Sequence, residues 1–351
     1  MKTHVVEYDH AFDWASKESN QNGPALLLGN GFSVAYDSQR FAYAALLDQA
    51  RGSGKLSHIS DRYFRKQETN DFERVIRELL VAADALEIMD VEKFEQEISE
   101  LRYEAETLKE LLAKSLASLH PERPTDVLQA QYDNVKNFVT PFDRVFTTNY
   151  DLLLYWTLMK QIDSGLDKSR DDGFRSPGDE HEYVVWDHLT PHAQNVYYLH
   201  GALHLYRDLY NSELQKLTWI RTGDALIDQI RRQLAANRLP LIVAEGTSEE
   251  KLAKIQSNAY LARSLRTLAS IGGTAVIYGL SLSENDAHIY DAVLRSKIKR
   301  IAVSIYGDAA TVDNQATITT ANRLVFDRET MFGGRRPIEV CFYDASSVPL
   351  W

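Results

Sequence analysis

The chain alternates between short, unbroken apolar runs and longer stretches with helical spacing. The runs are "ALLLG" (25–29), "RVFTTN" (144–149), "VYYLHG" (196–201), "LPLIVAEG" (239–246), "TAVIYGLS" (274–281) and "RIAVSIYG" (300–307), with "PIEVCFYDA" (337–345) as a seventh. Runs this apolar and this short predict strands buried on both faces, as in a parallel sheet covered by helices. The intervening stretches "FAYAALLDQA", "YDLLLYWTLMKQI", "EEKLAKIQSNAYLARSLRTLAS" and "ENDAHIYDAVLRSKIK" read as helices. Strands alternating with helices predict an α/β fold with a doubly wound parallel sheet.

Two regions break the alternation. Residues 60–136, glycine-free and rich in Glu and Lys, have helical periodicity and predict two or three helices forming an inserted all-α module. Thr69 or Asn70 is the expected cap of its first helix, with Asp71 and Glu73 in the first turn. Residues 160–195 are polar and turn-rich and predict a long loop, and 205–238 predict a further helical excursion. Without an internal repeat or low-complexity linker, 1–351 reads as one domain carrying the 60–136 insertion.

Composition narrows the partners. A net charge of -11 argues against an extended nucleic-acid surface, because phosphate contacts need clustered Lys and Arg. Cys341 is the only cysteine, so neither an intrachain disulfide nor a Cys-based zinc site can form. The N-terminus lacks the apolar core of a secretory signal, and no run approaches the roughly 18 apolar residues of a membrane span. A cytoplasmic, membrane-free protein is expected.

Ligands of an open α/β sheet bind beyond the carboxyl ends of its strands. There the sequence places Gly29-Asn30-Gly31-Phe32-Ser33, then Thr147-Thr148-Asn149-Tyr150-Asp151, then His200-Gly201, then Gly279, Ser281 and Ser283. Each group has a plain reading when taken alone. "GNG" fits a hairpin turn, although a helical pattern follows it. "TTNYD" fits a helix cap through Asn149 or Asp151, "LHG" a histidine bonded to a carbonyl, and "GLSLSEND" a cap through Ser283. Glu245 falls at the end of the fourth run, either as a site carboxylate or beside a Thr247–Glu250 capping box. His181, His188 and His192, with Asp179 and Asp187, have no metal-ligand spacing and read as solvated loop residues.

The order Gly-x-Gly-x-Ser, Thr-x-Asn-x-Asp, His-Gly, Gly-x-Ser resembles the sirtuin family, and more closely the bacterial sirtuin-like proteins that hydrolyse NAD, many in anti-phage defence. "GNGFS" and "DFERVIREL" carry the closer likeness. The resemblance implies a Rossmann-like fold and NAD as substrate. It gives Gly29, Gly31 and Ser33 to the NAD diphosphate, a role that glycine permits by close backbone approach and a helix N-terminus favours. Asn30 touches a ribose or holds the loop, and Thr148 belongs to the same lining. Asn149 positions the nicotinamide ribose or the attacking water, and Asp151 orders the motif. His200 is the general base, and Gly279 and Ser281 meet the adenosine side.

The chain departs from the deacetylating members. It lacks their four-cysteine zinc module, and Arg40 is the nearest match to an arginine of their first loop, at a different spacing. NAD hydrolysis to nicotinamide and ADP-ribose, with no metal, is therefore the first expectation. The rivals are a non-catalytic NAD or ADP-ribose sensor, a subunit of a larger complex, and an NAD-dependent deacylase. Unchecked NAD loss kills a cell, so a gate is expected: homo-oligomer assembly, an activating protein partner or a nucleotide ligand.

Overall fold

The computed structural model describes residues 4–17, 23–163, 170–189, 193–208, 213–244 and 247–351. The strands among them are β1 (Val5–Val6), β2 (Ala25–Leu28), β3 (Arg144–Thr147), β4 (Phe174–Arg175), β5 (Tyr183–Trp186), β6 (Val196–Tyr198), β7 (Leu205–Arg207), β8 (Leu214–Leu217), β9 (Gly272–Tyr278), β10 (Lys297–Ile305) and β11 (Glu339–Asp344). Seven form one sheet in the order β1-β11-β10-β9-β2-β3-β6. Every pairing in it is parallel. From β2 the chain winds outward through β3 to β6, returns to β9 on the other side of β2, and continues outward through β10 and β11. This is the Rossmann-like, doubly wound order, with β1 added at the far edge, and its topological switch point lies between β2 and β9.

The alternation of side chains along each strand explains the unbroken apolar runs. Leu26 and Leu28 of β2 enter one buried core with Val145, Val276 and Tyr343. Ala25 and Leu27 enter another, on the opposite face, with Phe146, Ile277 and Val303. A sheet buried on both sides has no polar face to encode.

Between the short helix Gly31–Tyr36 and β3 the chain is helical, with its longest members at Phe72–Asp90 and Glu95–Leu119. Phe72, Val75, Ile76 and Leu79 are spaced to form one stripe, as are Ala105, Leu108, Leu112 and Leu116, and both stripes enter the same core as β2. The first long helix is capped by Asp71, whose carboxylate accepts the N–H groups of Glu73 (2.9 Å) and Arg74 (3.3 Å), and not by Thr69 or Asn70. Thr69 instead accepts the N–H of Asp71 at 3.2 Å.

Three expectations from the apolar pattern are corrected. "LPLIVAEG" is not a strand of the main sheet; Ile242 makes an isolated antiparallel bridge to Gly201, and Leu241 and Val243 exchange backbone bonds with residues 200–205. The 205–238 excursion is not purely helical, since it holds β7 and β8 before the helices Trp219–Thr222 and Leu226–Ala235. The 160–195 loop contains β4 and β5, which join β8 and β7 in a second, antiparallel sheet of order β4-β5-β8-β7. The N-terminal strand β1 and the helix Tyr8–Ser16 had no apolar run to announce them.

Among the described residues no helix is long and apolar enough to cross a membrane.

Candidate active site

At the switch point β2 passes through Gly29 and Asn30 into the helix Gly31–Tyr36, so "GNG" is not a hairpin. The glycines serve a close packing of two strand ends. A Cβ on Gly31 would lie 2.6 Å from the Gly279 Cα, and one on Gly29 would lie 2.4 Å from the Gly279 carbonyl oxygen. Gly279 itself has φ +67°, which glycine adopts without strain. The N–H of Gly31 donates to the Gly279 carbonyl (3.0 Å) and that of Gly29 to Tyr278 (2.9 Å). These two amides are committed within the protein, in contrast to the expected phosphate cradle.

Beside this contact lies a polar cavity of about 160 Å³ whose walls include Asn30, Thr148, Asn149, Asp151, His200, Gly279 and Ser281. The motifs from four strand ends therefore do converge. Gly29, Gly31 and Ser33 are not on its wall; Gly31 lines a neighbouring groove of about 850 Å³ that shares Gly279, Leu280 and Ser281 with the cavity. Asn30 donates its amide to the Phe41 carbonyl at 3.3 Å, which holds the loop. Thr148 is tied through its backbone N–H to Leu28. Arg40 lies outside the cavity, paired with Asp37 at 3.0 Å and donating to the Leu119 carbonyl.

A buried chain of hydrogen bonds orients Asn149. Asp151 accepts the N–H of Leu153 (2.9 Å) and the hydroxyl of Ser33 (2.5 Å), and Ser33 accepts from Nδ2 of Asn149 (2.9 Å). A carboxylate only accepts, so the Ser33 proton points at Asp151 and its lone pair at Asn149. The Asn149 amide oxygen is then turned the other way, buried and without a partner among the described residues. Burial raises the pKa of Asp151, and the Ser33 hydroxyl opposes that shift.

His200 does not bond a carbonyl. Its Nε2 faces Nε2 of His288 at 2.7 Å, and the Asp286 carboxylate lies 3.8 Å away. Burial, then the neighbouring His288 and Lys251, push the His200 pKa well below its ordinary value, so the imidazole is neutral near pH 7. His288 is held down to about 4, first by burial. Its backbone N–H donates to Ser248 Oγ (3.0 Å), which also lies 3.3 Å from its Nδ1. Ser283 makes no side-chain cap; its carbonyl closes the turn to Asp286.

The inserted helices complete the site. Asp71, Glu73 and Tyr43 line the cavity with Asp286 and Asn285. Glu73 Oε2 accepts from the buried Lys251 ammonium at 2.5 Å, and Lys251 also reaches Asp286 at 3.3 Å. Burial alone would lower the Lys251 pKa, but the carboxylates of Glu73 and Asp286 raise it. Burial raises Glu73, against the opposing effect of Lys251. Tyr150 has one hydroxyl proton for two acceptors, Glu73 Oε1 (2.9 Å) and the Val243 carbonyl (2.7 Å).

Sequence reasoning passed over Glu73, Lys251, Asp286 and His288 as site residues. Glu73 and His288 carried a signal: each adjoins the buried stripe of its helix, beside Phe72 and Ile76 in one case and Ile289 and Ala292 in the other. Glu245 and His192 lie outside the described residues. Thr247 and Glu250 form the reciprocal capping box. His181 contacts Glu180, and Asp187 caps its own turn through the Leu189 N–H. Among the described residues the one group of His, Asp or Glu with metal-ligand geometry is His200, Asp286 and His288.

Fold and site thus define a Rossmann-like α/β protein with a buried, acid-walled cavity at its switch point. The chain belongs to the DUF4917 family, a domain of unknown function that matches residues 26–351. No curated protein matches the sequence.

Proposed function

We propose that the protein hydrolyses NAD to nicotinamide and ADP-ribose, as a sirtuin-like glycohydrolase. The observation that carries this reading is the unpartnered, buried amide oxygen of Asn149, fixed by Ser33 and Asp151 on a cavity that also holds His200. A buried acceptor left open costs about 1–3 kcal/mol unless something donates to it. A ribose hydroxyl or a water is a donor of the right size.

The chemistry suits the walls. Cleavage breaks the bond between ribose C1′ and the nicotinamide nitrogen, and the bonding pair leaves with nicotinamide. Positive charge moves onto the ribose. Asp71, Glu73 and Asp286 surround that space and favour a cation there. Water then bonds C1′ and gives up a proton, which the neutral imidazole of His200 can take, with His288 adjacent to share it. The groove that shares Gly279 and Ser281 would hold the adenosine half, so the diphosphate crosses at 279–281 and not at the committed amides of Gly29 and Gly31.

The gate expected of such an enzyme remains assembly with further copies, an activating partner or a nucleotide ligand, in a defence role within the cytoplasm. The test is chromatography of nicotinamide and ADP-ribose released by the purified chain, beside Asn149→Ala and His200→Ala. Turnover abolished in both folded variants supports the reading. Binding of NAD without turnover in the wild type, at high concentration and with lysate of infected cells added, replaces it with the sensor.

A further inference from the structure

His200 and His288 present the same ring nitrogen to one another, Nε2 to Nε2 at 2.7 Å, with Oδ1 of Asp286 at 3.8 Å from the first. All three ligand atoms lie within 4.8 Å of one another. One proton between two imidazoles satisfies the pair, but so does one cation in its place. The edges of a tetrahedral site with bonds of about 2.1 Å are about 3.4 Å, close to the 3.8 Å between His200 and Asp286. The two ring nitrogens, 2.7 Å apart, separate by about 0.7 Å to admit the ion.

The surroundings suit a ligand set. Ser248 lies at the far nitrogen of His288, 3.3 Å from Nδ1, as an outer partner that leaves Nε2 free to bind. Lys251 donates to Glu73, 2.5 Å away, and at 3.3 Å to the same Asp286 Oδ1, which holds that oxygen in place. Three carboxylates, Asp71, Glu73 and Asp286, line the cavity, and the Lys251 ammonium pairs with the latter two. Two imidazoles and a carboxylate favour zinc and its first-row neighbours over magnesium or calcium.

We propose that His200, His288 and Asp286 bind one divalent cation of the zinc class, with an open position toward the cavity. One consequence rests on the hydrolase reading: the cation occupies the His200 nitrogen, so the metal-loaded protein is silent and removal of the metal releases the base.

The experiment uses the full chain, stripped with a chelator and titrated with Co²⁺, followed by visible absorption. Zn²⁺ and Mg²⁺ are then added as competitors. One Co²⁺ per chain, displaced by Zn²⁺ and not by Mg²⁺, is expected, and His288→Gln and Asp286→Asn weaken binding at least tenfold with circular dichroism unchanged. Absence of a stoichiometric cobalt band in the wild type overturns the site, whether or not the variants fold. So does equal binding by the wild type and both folded variants.

NAD turnover is measured in parallel on stripped and zinc-loaded protein. Metal binding with no turnover in either form supports the site and counts against the hydrolase. Turnover in a chain that binds no metal overturns the site and leaves the hydrolase standing. Stoichiometric zinc with undiminished turnover overturns the silencing.

Discussion

The ammonium of Lys251 lies 2.5 Å from the carboxylate of Glu73, and its side chain has no exposure to solvent. The pair joins the helix Ser248–Gln256 to the first long inserted helix, Phe72–Asp90, across the wall of the cavity. The inserted helices are thereby fastened to the Rossmann-like layers by charge as well as by apolar contact.

Removal of Lys251 leaves the buried Glu73 carboxylate without its cation, whereas removal of the Glu73 charge leaves Lys251 still paired with Asp286 at 3.3 Å. Lys251→Met is expected to cost about 3–5 kcal/mol. Glu73→Gln, which keeps hydrogen-bonding capacity toward Lys251 and Tyr150, costs less. Urea denaturation of the two single variants and the double variant measures this, with a favourable coupling of about 0.5–3 kcal/mol expected between them. Additive losses would show that the two groups are not energetically linked.

The glycines at the switch point separate conformational strain from steric contact. Gly279→Ala combines φ +67° with a Cβ built 2.6 Å from the Gly31 Cα, and should cost about 2–5 kcal/mol. Gly223, with φ +74° at the end of the helix Trp219–Thr222, has nothing within 4 Å of its added Cβ, so Gly223→Ala should cost only about 1–2 kcal/mol. Equal shifts in denaturation midpoint would refute the close packing of the two strand ends.

Ser33 touches Asn149 and Asp151 but does not line the cavity, so it acts by positioning. In the NAD hydrolase reading, Ser33→Ala lowers kcat by about a hundredfold and leaves KM nearly unchanged, because the Asn149 amide is free to turn. Steady-state kinetics decides this; a change confined to KM would mean that Ser33 contributes to substrate binding instead.

His120 links the end of the helix Glu95–Leu119 to Leu152, the residue that follows the "TTNYD" segment. Its Nε2 accepts the Leu152 N–H at 3.1 Å, and its Nδ1 faces the Pro121 carbonyl at 3.0 Å, which fixes the neutral tautomer with the proton on Nδ1. Burial, with help from Arg231 and Arg40, lowers its pKa from 6.5 to about 4. The unfolded chain then binds the extra proton between those values, so stability is full above pH 6.5 and falls as the pH drops toward 4. The loss from this group is about 3 kcal/mol. Denaturation midpoints against pH should fall less steeply in His120→Gln than in the wild type.

The apolar runs reported burial, and burial on both faces of a parallel sheet made six of its seven strands legible. The same rule misplaced "LPLIVAEG", whose Val243 and Ala244 are fully buried although the segment bridges a loop instead of joining the sheet. The strands β4 and β5 escaped for the opposite reason, being two and four residues long and largely half-buried. In the site, the strand-end residues were legible because topology fixes where strand ends meet. Lys251 was not, since in "SEEKLAK" it looks like any solvated helix cation. Its role exists only because a helix from elsewhere in the chain sets Glu73 against it.

The central strand has a consequence for the order of assembly. Ala25 of β2 pairs on one side with Arg144 and on the other with Ala275. A chain emerging from the ribosome therefore carries the Asn149 and His200 motifs long before the strand that closes the switch point exists. Contacts this distant in sequence form late and slowly. Nascent and truncated chains that end before β9 lack the Gly279 and Ser281 wall of the cavity, so in the NAD hydrolase reading they turn over no substrate.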